Sequence, residues 1–185
     1  MSTLKRRGFC HVFGDDVPLD EGVMAFRFAI QRVTDPKELI PHLFEAIDPE
    51  FVRRVKPGDF VIAGRNFGCG KTHVQGFIAM TALGMSVLCE SIPYKPLRRA
   101  VGEGLPVLAG CRGATGFART GDEIEVDFNT GAARNLTQGT EAAFPAMPPI
   151  LRDLAMNGGM RAQLSDWLRN HPEQGVAQAP AASQT

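Results

Sequence analysis

Apolar residues gather in short runs separated by glycine- and proline-bearing turns, and the order of those runs sets the first expectation. "GFCHVFG" (8–14) reads as a short strand ending in the turn-like "GDDVPLD". "PGDFVIAG" is a buried strand entered through a turn, and "MSVLCE" and "LPVLAG" repeat the pattern. Between the last three lie two helical segments. In "HVQGFIAMTALG" and the residue after it, Val74, Phe77, Ile78, Thr81 and Met85 fall at i, i+3, i+4, i+7 and i+11, a stripe that predicts core packing. A second helix is expected around "YKPLRRAVGEG", with Arg98 and Arg99 on its solvated face. Strand, helix, strand, helix, strand is an α/β signature and predicts three parallel strands.

The flanking regions read differently. "DPKELIPHLFEAI" offers Asp35 as a cap, Pro36 at the first helical position, and Leu39, Leu43 and Ile47 at helical spacing, with His42 partly exposed. Residues 21–34 are apolar and basic without a clean period, which predicts a long loop and a candidate binding element. "DEIEVDF", the turn "NTG" and "AARNLTQG" alternate with period two and predict a β-hairpin. "PPILRDLAMNGGMRAQLSDWL" gives one or two closing helices broken at Gly158-Gly159. From His171 onward the composition is that of a disordered tail, so the expected division is a domain over 1–170 and a tail over 171–185. No internal repeat is present.

Composition narrows the function classes. The 185 residues are 44% hydrophobic, enough for one domain with a substantial core. Twenty basic residues balance twenty acidic ones, so broad attraction to nucleic acid or an anionic membrane is not expected. No stretch reaches transmembrane length, and "MSTLKRRGFCHVF" lacks a signal-peptide apolar core; a cytoplasmic location is the expectation. Cys10, Cys69, Cys89 and Cys111 are scattered with no C-x-x-C pair, which argues against a zinc or iron–sulfur site within the chain.

The chemistry concentrates in "GRNFGCGKT" (64–72). Its ending imitates a phosphate-binding loop, but that motif places a glycine five residues before the Gly-Lys-Thr, where Arg65 stands; Gly64 is one residue too far. Gly68 and Gly70 still bring backbone close to something, and Thr72 is positioned to cap a helix whose N-terminus attracts anions. Two readings stand: a strand-to-helix turn that needs glycine for positive φ, or an anion site for a carboxylate. Cys69 likewise divides between a packing residue and a thiol nucleophile with Lys71 and His73 close by in sequence.

The order of "HVFGDDVPLD", "DPEFVRRVKPGDFVIAGRNFGCG", "GLPVL" and "GDEIEVDFNTGAARNLT" resembles the family of isopropylmalate dehydratase small subunits and aconitase swivel domains, from about residue 9 to 169. The resemblance implies an α/β fold, a three-layer swivelling domain whose mixed sheet is flanked by helices. It implies docking on a large subunit whose four-iron, four-sulfur cluster acts as Lewis acid on the leaving hydroxyl of a small hydroxy-carboxylate. The glycine loop, Gly68, Cys69 and Gly70, then meets the substrate's carboxylates.

This chain departs from the family where the chemistry lies. The family's Ser-Ser-Arg-Glu-His after Gly-Cys-Gly is Lys71-Thr72-His73-Val74-Gln75 here. Lys71 takes the position of the catalytic base, Thr72 that of a substrate-binding serine, and His73 that of a carboxylate-clamping arginine. Asp20 matches an aspartate that pairs with a partner histidine, and Arg27 lies one residue off the arginine of the specificity loop. A lysine serves as a base if desolvation or a cationic neighbour lowers its pKa. A histidine replaces the arginine fork only when protonated, at a loss of roughly 1.5–3 kcal/mol. The leading expectation is a small subunit of a heteromeric hydro-lyase for a hydroxy di- or tricarboxylate. Isopropylmalate dehydratase proper, in leucine biosynthesis, and a non-catalytic carboxylate-binding module are the alternatives.

Overall fold

The computed structural model describes residues 4–172, so the tail expected beyond the domain lies, from residue 173, outside the described residues. Seven strands form one sheet in the order β4-β3-β2-β1-β5-β6-β7. The parallel half joins β1 (Lys5–Val12), β2 (Phe60–Ala63), β3 (Ser86–Cys89) and β4 (Val107–Ala109). β2 and β3 are buried along their whole length, as continuous apolar runs in a parallel sheet should be. The antiparallel half adds β5 (Glu123–Asp127), β6 (Ala132–Asn135) and β7 (Thr140–Ala143). The expected mixed sheet and hairpin are both present.

Helices α1 (Arg27–Ile30), α2 (Pro36–Leu39) and α3 (Phe51–Arg54) are single turns on the long β1–β2 connection. The crossovers carry α4 (Gln75–Ala82) and α5 (Tyr94–Gly102), and both advance the same way along the sheet, which places them on one face. α6 (Ala114–Phe117) touches both β2 and β7, although three strands separate them, so the sheet curls around it. α7 (Pro149–Met156) and α8 (Gly159–Asn170) close the domain against α5, hinged where Gly158 and Gly159 take φ of 76° and 84°.

Three expectations need correction. Asp35 caps α2 as expected, its carboxylate accepting from Lys37 N at 2.9 Å, but the helix does not reach Ile47. Pro41 has no N–H to continue it, the chain tightens into a 3-10 turn over Ile40–His42, and Phe44 turns to φ 56°, leaving Ile47 exposed. The stretch 21–34 is mostly turns but includes α1. The stripe on α4 is also not the buried face: Gln75, Gly76, Phe77, Ala79 and Met80 are buried while Ile78 and Thr81 are half-buried, because the helix is covered on nearly every side.

Candidate anion-binding cleft

Three connections leave the carboxyl ends of neighbouring parallel strands and meet in one crevice, the place where open α/β sheets bind ligands. Residues 13–20 follow β1, the glycine loop follows β2, and residues 90–95 follow β3. The first and second are laced together: Asp16 N donates to Arg65 O (2.8 Å), Gly68 N to Val17 O (2.8 Å) and Leu19 N to Cys69 O (2.8 Å). Asp15 binds the Arg65 amide (2.7 Å) and guanidinium, which holds its carboxyl below the usual range. On the far side Asn66 N donates to Ser91 Oγ (2.8 Å) and Phe67 N to Ser91 O (2.9 Å), with the Phe67 ring fully buried beneath.

The loop's second half opens to solvent. Gly70 takes φ 81°, and a Cβ there would overlap Asp20 Oδ1, which instead accepts from Lys71 N at 3.0 Å. Only glycine meets both demands. Among the described residues no protein acceptor takes the amides of Gly70 or Thr72, so both are free to donate to a ligand.

Beside these amides is a cleft of about 500 Å³ lined by Gly70, Lys71, Thr72, Lys95, Arg98 and Arg99. It continues past Cys69 onto an apolar wall of Pro93, Tyr94 and Pro96. No carboxylate lines it, and none of its four cations forms an ion pair among the described residues. Lys71 Nζ sits 4.8 Å over the Phe26 ring, and Arg98 stacks on Tyr94 at 5.8 Å. The arrangement suits a small polyanion: amides and a hydroxyl to hydrogen-bond it, unpaired cations to neutralise it.

The structure therefore gathers Asp20, Gly68, Cys69, Gly70, Lys71 and Thr72 and separates two expected residues. His73 lies behind the loop, 8% exposed. Gln75 Nε2 donates to Val33 O, so its Oε1 faces His73 and takes the Nδ1 proton at 3.2 Å. The Nε2 lone pair is then buried without a partner, and burial pushes the ring's pKa down. A neutral, covered imidazole cannot replace an arginine clamp. Arg27 lines another pocket with His42 and Glu45, its guanidinium 3.4 Å from the Glu45 carboxylate.

Thr72 does not cap α4, which begins three residues later with Val74 at its N-cap and no side-chain cap; the phosphate-loop geometry is thus absent. The Cys69 thiol is pushed up by burial and then by the Asp16 charge, the opposite of an activated nucleophile. The sequence pattern gives Lys95 no role, and Arg98 and Arg99 only a solvated helix face. Their i, i+3, i+4 spacing put them on one helix face, but only the fold puts that face against the glycine loop.

No protein-family model matches the sequence. Known proteins do. A 3-isopropylmalate dehydratase small subunit of Moorella thermoacetica is 35% identical over 155 residues, covering 83% of this chain and 91% of its own. One from Archaeoglobus fulgidus is 37% identical over 149 residues, 80% and 89%. The chain belongs to the 3-isopropylmalate dehydratase small-subunit family. The crystal structure of a 3-isopropylmalate dehydratase from Methanocaldococcus jannaschii superposes with a TM-score of 0.79 at 28% identity, over 93% of this chain and 100% of that one. Membership makes the expected swivel-type fold and hydro-lyase class firm. Among the described residues no group of three or more His, Cys, Asp or Glu could hold a metal ion, and no helix is long and apolar enough to cross a membrane.

Proposed function

We propose that this chain is the small subunit of an aconitase-type hydro-lyase that removes and re-adds water on a hydroxy di- or tricarboxylate, and that it turns over only with a large subunit. One observation carries the reading: two free loop amides and four unpaired cations share one cleft at the strand ends of the family's fold. The thiols of this chain do not fit a four-iron, four-sulfur cluster, since Cys10, Cys89 and Cys111 are buried and pushed up to about 11, 12 and 12. The cluster implied by the family belongs on the large subunit. The complex works in the cytoplasm, where free cysteines stay reduced.

Within this chain, the amides of Gly70 and Thr72 hold a substrate carboxylate and orient the carbon beside it. Lys71 takes the proton from that carbon once the large subunit covers the loop and strips water from its amine. Asp20 fixes the Lys71 backbone through Oδ1 and leaves Oδ2 without a hydrogen-bond partner among the described residues, open to the large subunit. A second reading makes Lys71 a clamp that stays charged. Its exposed ammonium over the Phe26 ring favours it.

The test is co-expression with candidate large subunits and assay on a panel of hydroxy acids. Turnover of a panel member by the complex, and by neither chain alone, is expected. A preference for isopropylmalate would make the chain an isopropylmalate dehydratase subunit proper. Binding without turnover in any complex would make it a carboxylate-binding module. Lys71→Ala then separates the roles. A base lost costs about a hundred- to ten-thousandfold in kcat, whereas a clamp lost raises KM and leaves kcat nearly intact.

A further inference from the structure

The cleft holds more positive charge than a dicarboxylate can neutralise. Lys71 and the two free amides already suffice for one carboxylate, yet Lys95, Arg98 and Arg99 line the same space, all exposed and unpaired among the described residues. Elsewhere Arg65 pairs with Asp15, Arg53 with Glu50 and Arg134 with Glu141, while scattered cations such as Arg6, Arg32 and Lys37 also stand unpaired among the described residues; the cleft differs in gathering four of them with no carboxylate in its lining. The three on α5 repel one another at i, i+3 and i+4. Lys95 also sits in the helix's first turn, which contains no acidic residue, against the positive end of the helix dipole. No ion pair among the described residues offsets either cost, although Glu103 shares a neighbouring pocket with Arg98 and Arg99. An anion in the cleft would offset both.

Resting on the dehydratase reading above, we infer that the substrate bears a third anionic group, making it a tricarboxylate, and that Lys95, Arg98 and Arg99 select it. Covering the cleft sharpens the selection, because cations excluded from water need counter-charges inside. A dicarboxylate with an apolar side group would leave at least two of them buried and unanswered. The apolar wall of Pro93, Tyr94 and Pro96 then flanks the carbon skeleton.

Binding to the full chain tests this without turnover. Calorimetry at low salt compares propane-1,2,3-tricarboxylate with isopropylmalate. The tricarboxylate should bind about tenfold tighter or more, as one additional charge-assisted contact predicts. The double variant Arg98→Ala/Arg99→Ala, changed at exposed positions, should bring the two affinities within about threefold, with an unchanged thermal midpoint confirming its fold. Equal affinities in the wild type, tighter isopropylmalate, or a preference that survives the double variant would overturn the inference. The dehydratase reading falls separately. A complex that turns over isopropylmalate alone keeps that reading and ends this one. A complex inert toward every acid, beside a chain that still prefers the tricarboxylate, does the reverse.

Discussion

Asp20 and Gly70 form one device: the carboxylate occupies the space a side chain at Gly70 would need and holds the Lys71 amide from there. Asp20→Ala should cost about 1 kcal/mol by stranding that amide, while Asp20→Asn keeps an acceptor and most of the stability. Gly70→Ala meets both overlap and positive φ and should cost roughly 1–3 kcal/mol. Urea denaturation of the three variants checks the order; a neutral Gly70→Ala would show that the loop relaxes. His73 gives a pH signature. Its folded pKa lies below the unfolded value of about 6.5, so the unfolded chain binds more protons between the two. Stability from this site is full above about pH 7, is lost as pH falls below about 6.5, and levels off beneath the folded pKa. His73→Leu should therefore lose stability less steeply than wild type between about pH 7 and 5, read from urea midpoints.

Elements whose sequence pattern answers to the backbone alone were legible. The buried runs at 60–63, 86–89 and 107–109, the hairpin and the Gly158-Gly159 break all form where periodicity put them. Others depend on what surrounds them. β7 shows no apolar alternation because it is an exposed edge strand, so no pattern marked it. The Leu39, Leu43, Ile47 spacing looked helical until Pro41 intervened. The pattern of α5 predicts a helix with Arg98 and Arg99 on a solvated face, as found; what faces them is a loop twenty-odd residues away in sequence, which no local pattern encodes. The same dependence appears at the foot of the site's strands. Asp59, 2% exposed, accepts from Phe9 N (3.1 Å), Lys56 N (2.8 Å) and His11 Nε2 (2.9 Å), tying β1 to the turn that enters β2. Asp59→Ala should cost about 3–5 kcal/mol by leaving the buried His11 donor and two part-buried amides unmet, with Asp59→Asn milder. A thermal midpoint within a few degrees of wild type would contradict this role.

At the scale of the molecule, balanced composition conceals an uneven surface: four cations without carboxylate partners face one cleft while the chain's formal charge is zero. Such a surface suits a small anion, and the cysteines bear on whether this chain could hold a cluster of its own. Cys89 and Cys111 adjoin one another, Cys111 N donating to Cys89 O at 3.0 Å, but both side chains are fully buried. Forming either thiolate at pH 7.5 would cost on the order of 6 kcal/mol, as each pKa unit is worth about 1.4 kcal/mol. Cys10 is buried elsewhere, its thiol donating to Arg119 O at 3.0 Å, and Cys69 alone is partly open. A cluster needs several thiolates within reach of one centre, and this fold leaves a single thiol, that of Cys69, partly accessible. The isolated chain should therefore take up no stoichiometric iron or sulfide on anaerobic reconstitution and show no dehydratase turnover, while the same treatment of the complex loads cluster and activity together. Iron and sulfide analysis beside an activity assay decides it: a loaded, active small subunit would mean the thiols rearrange, and the division of labour between the two chains would have to be redrawn.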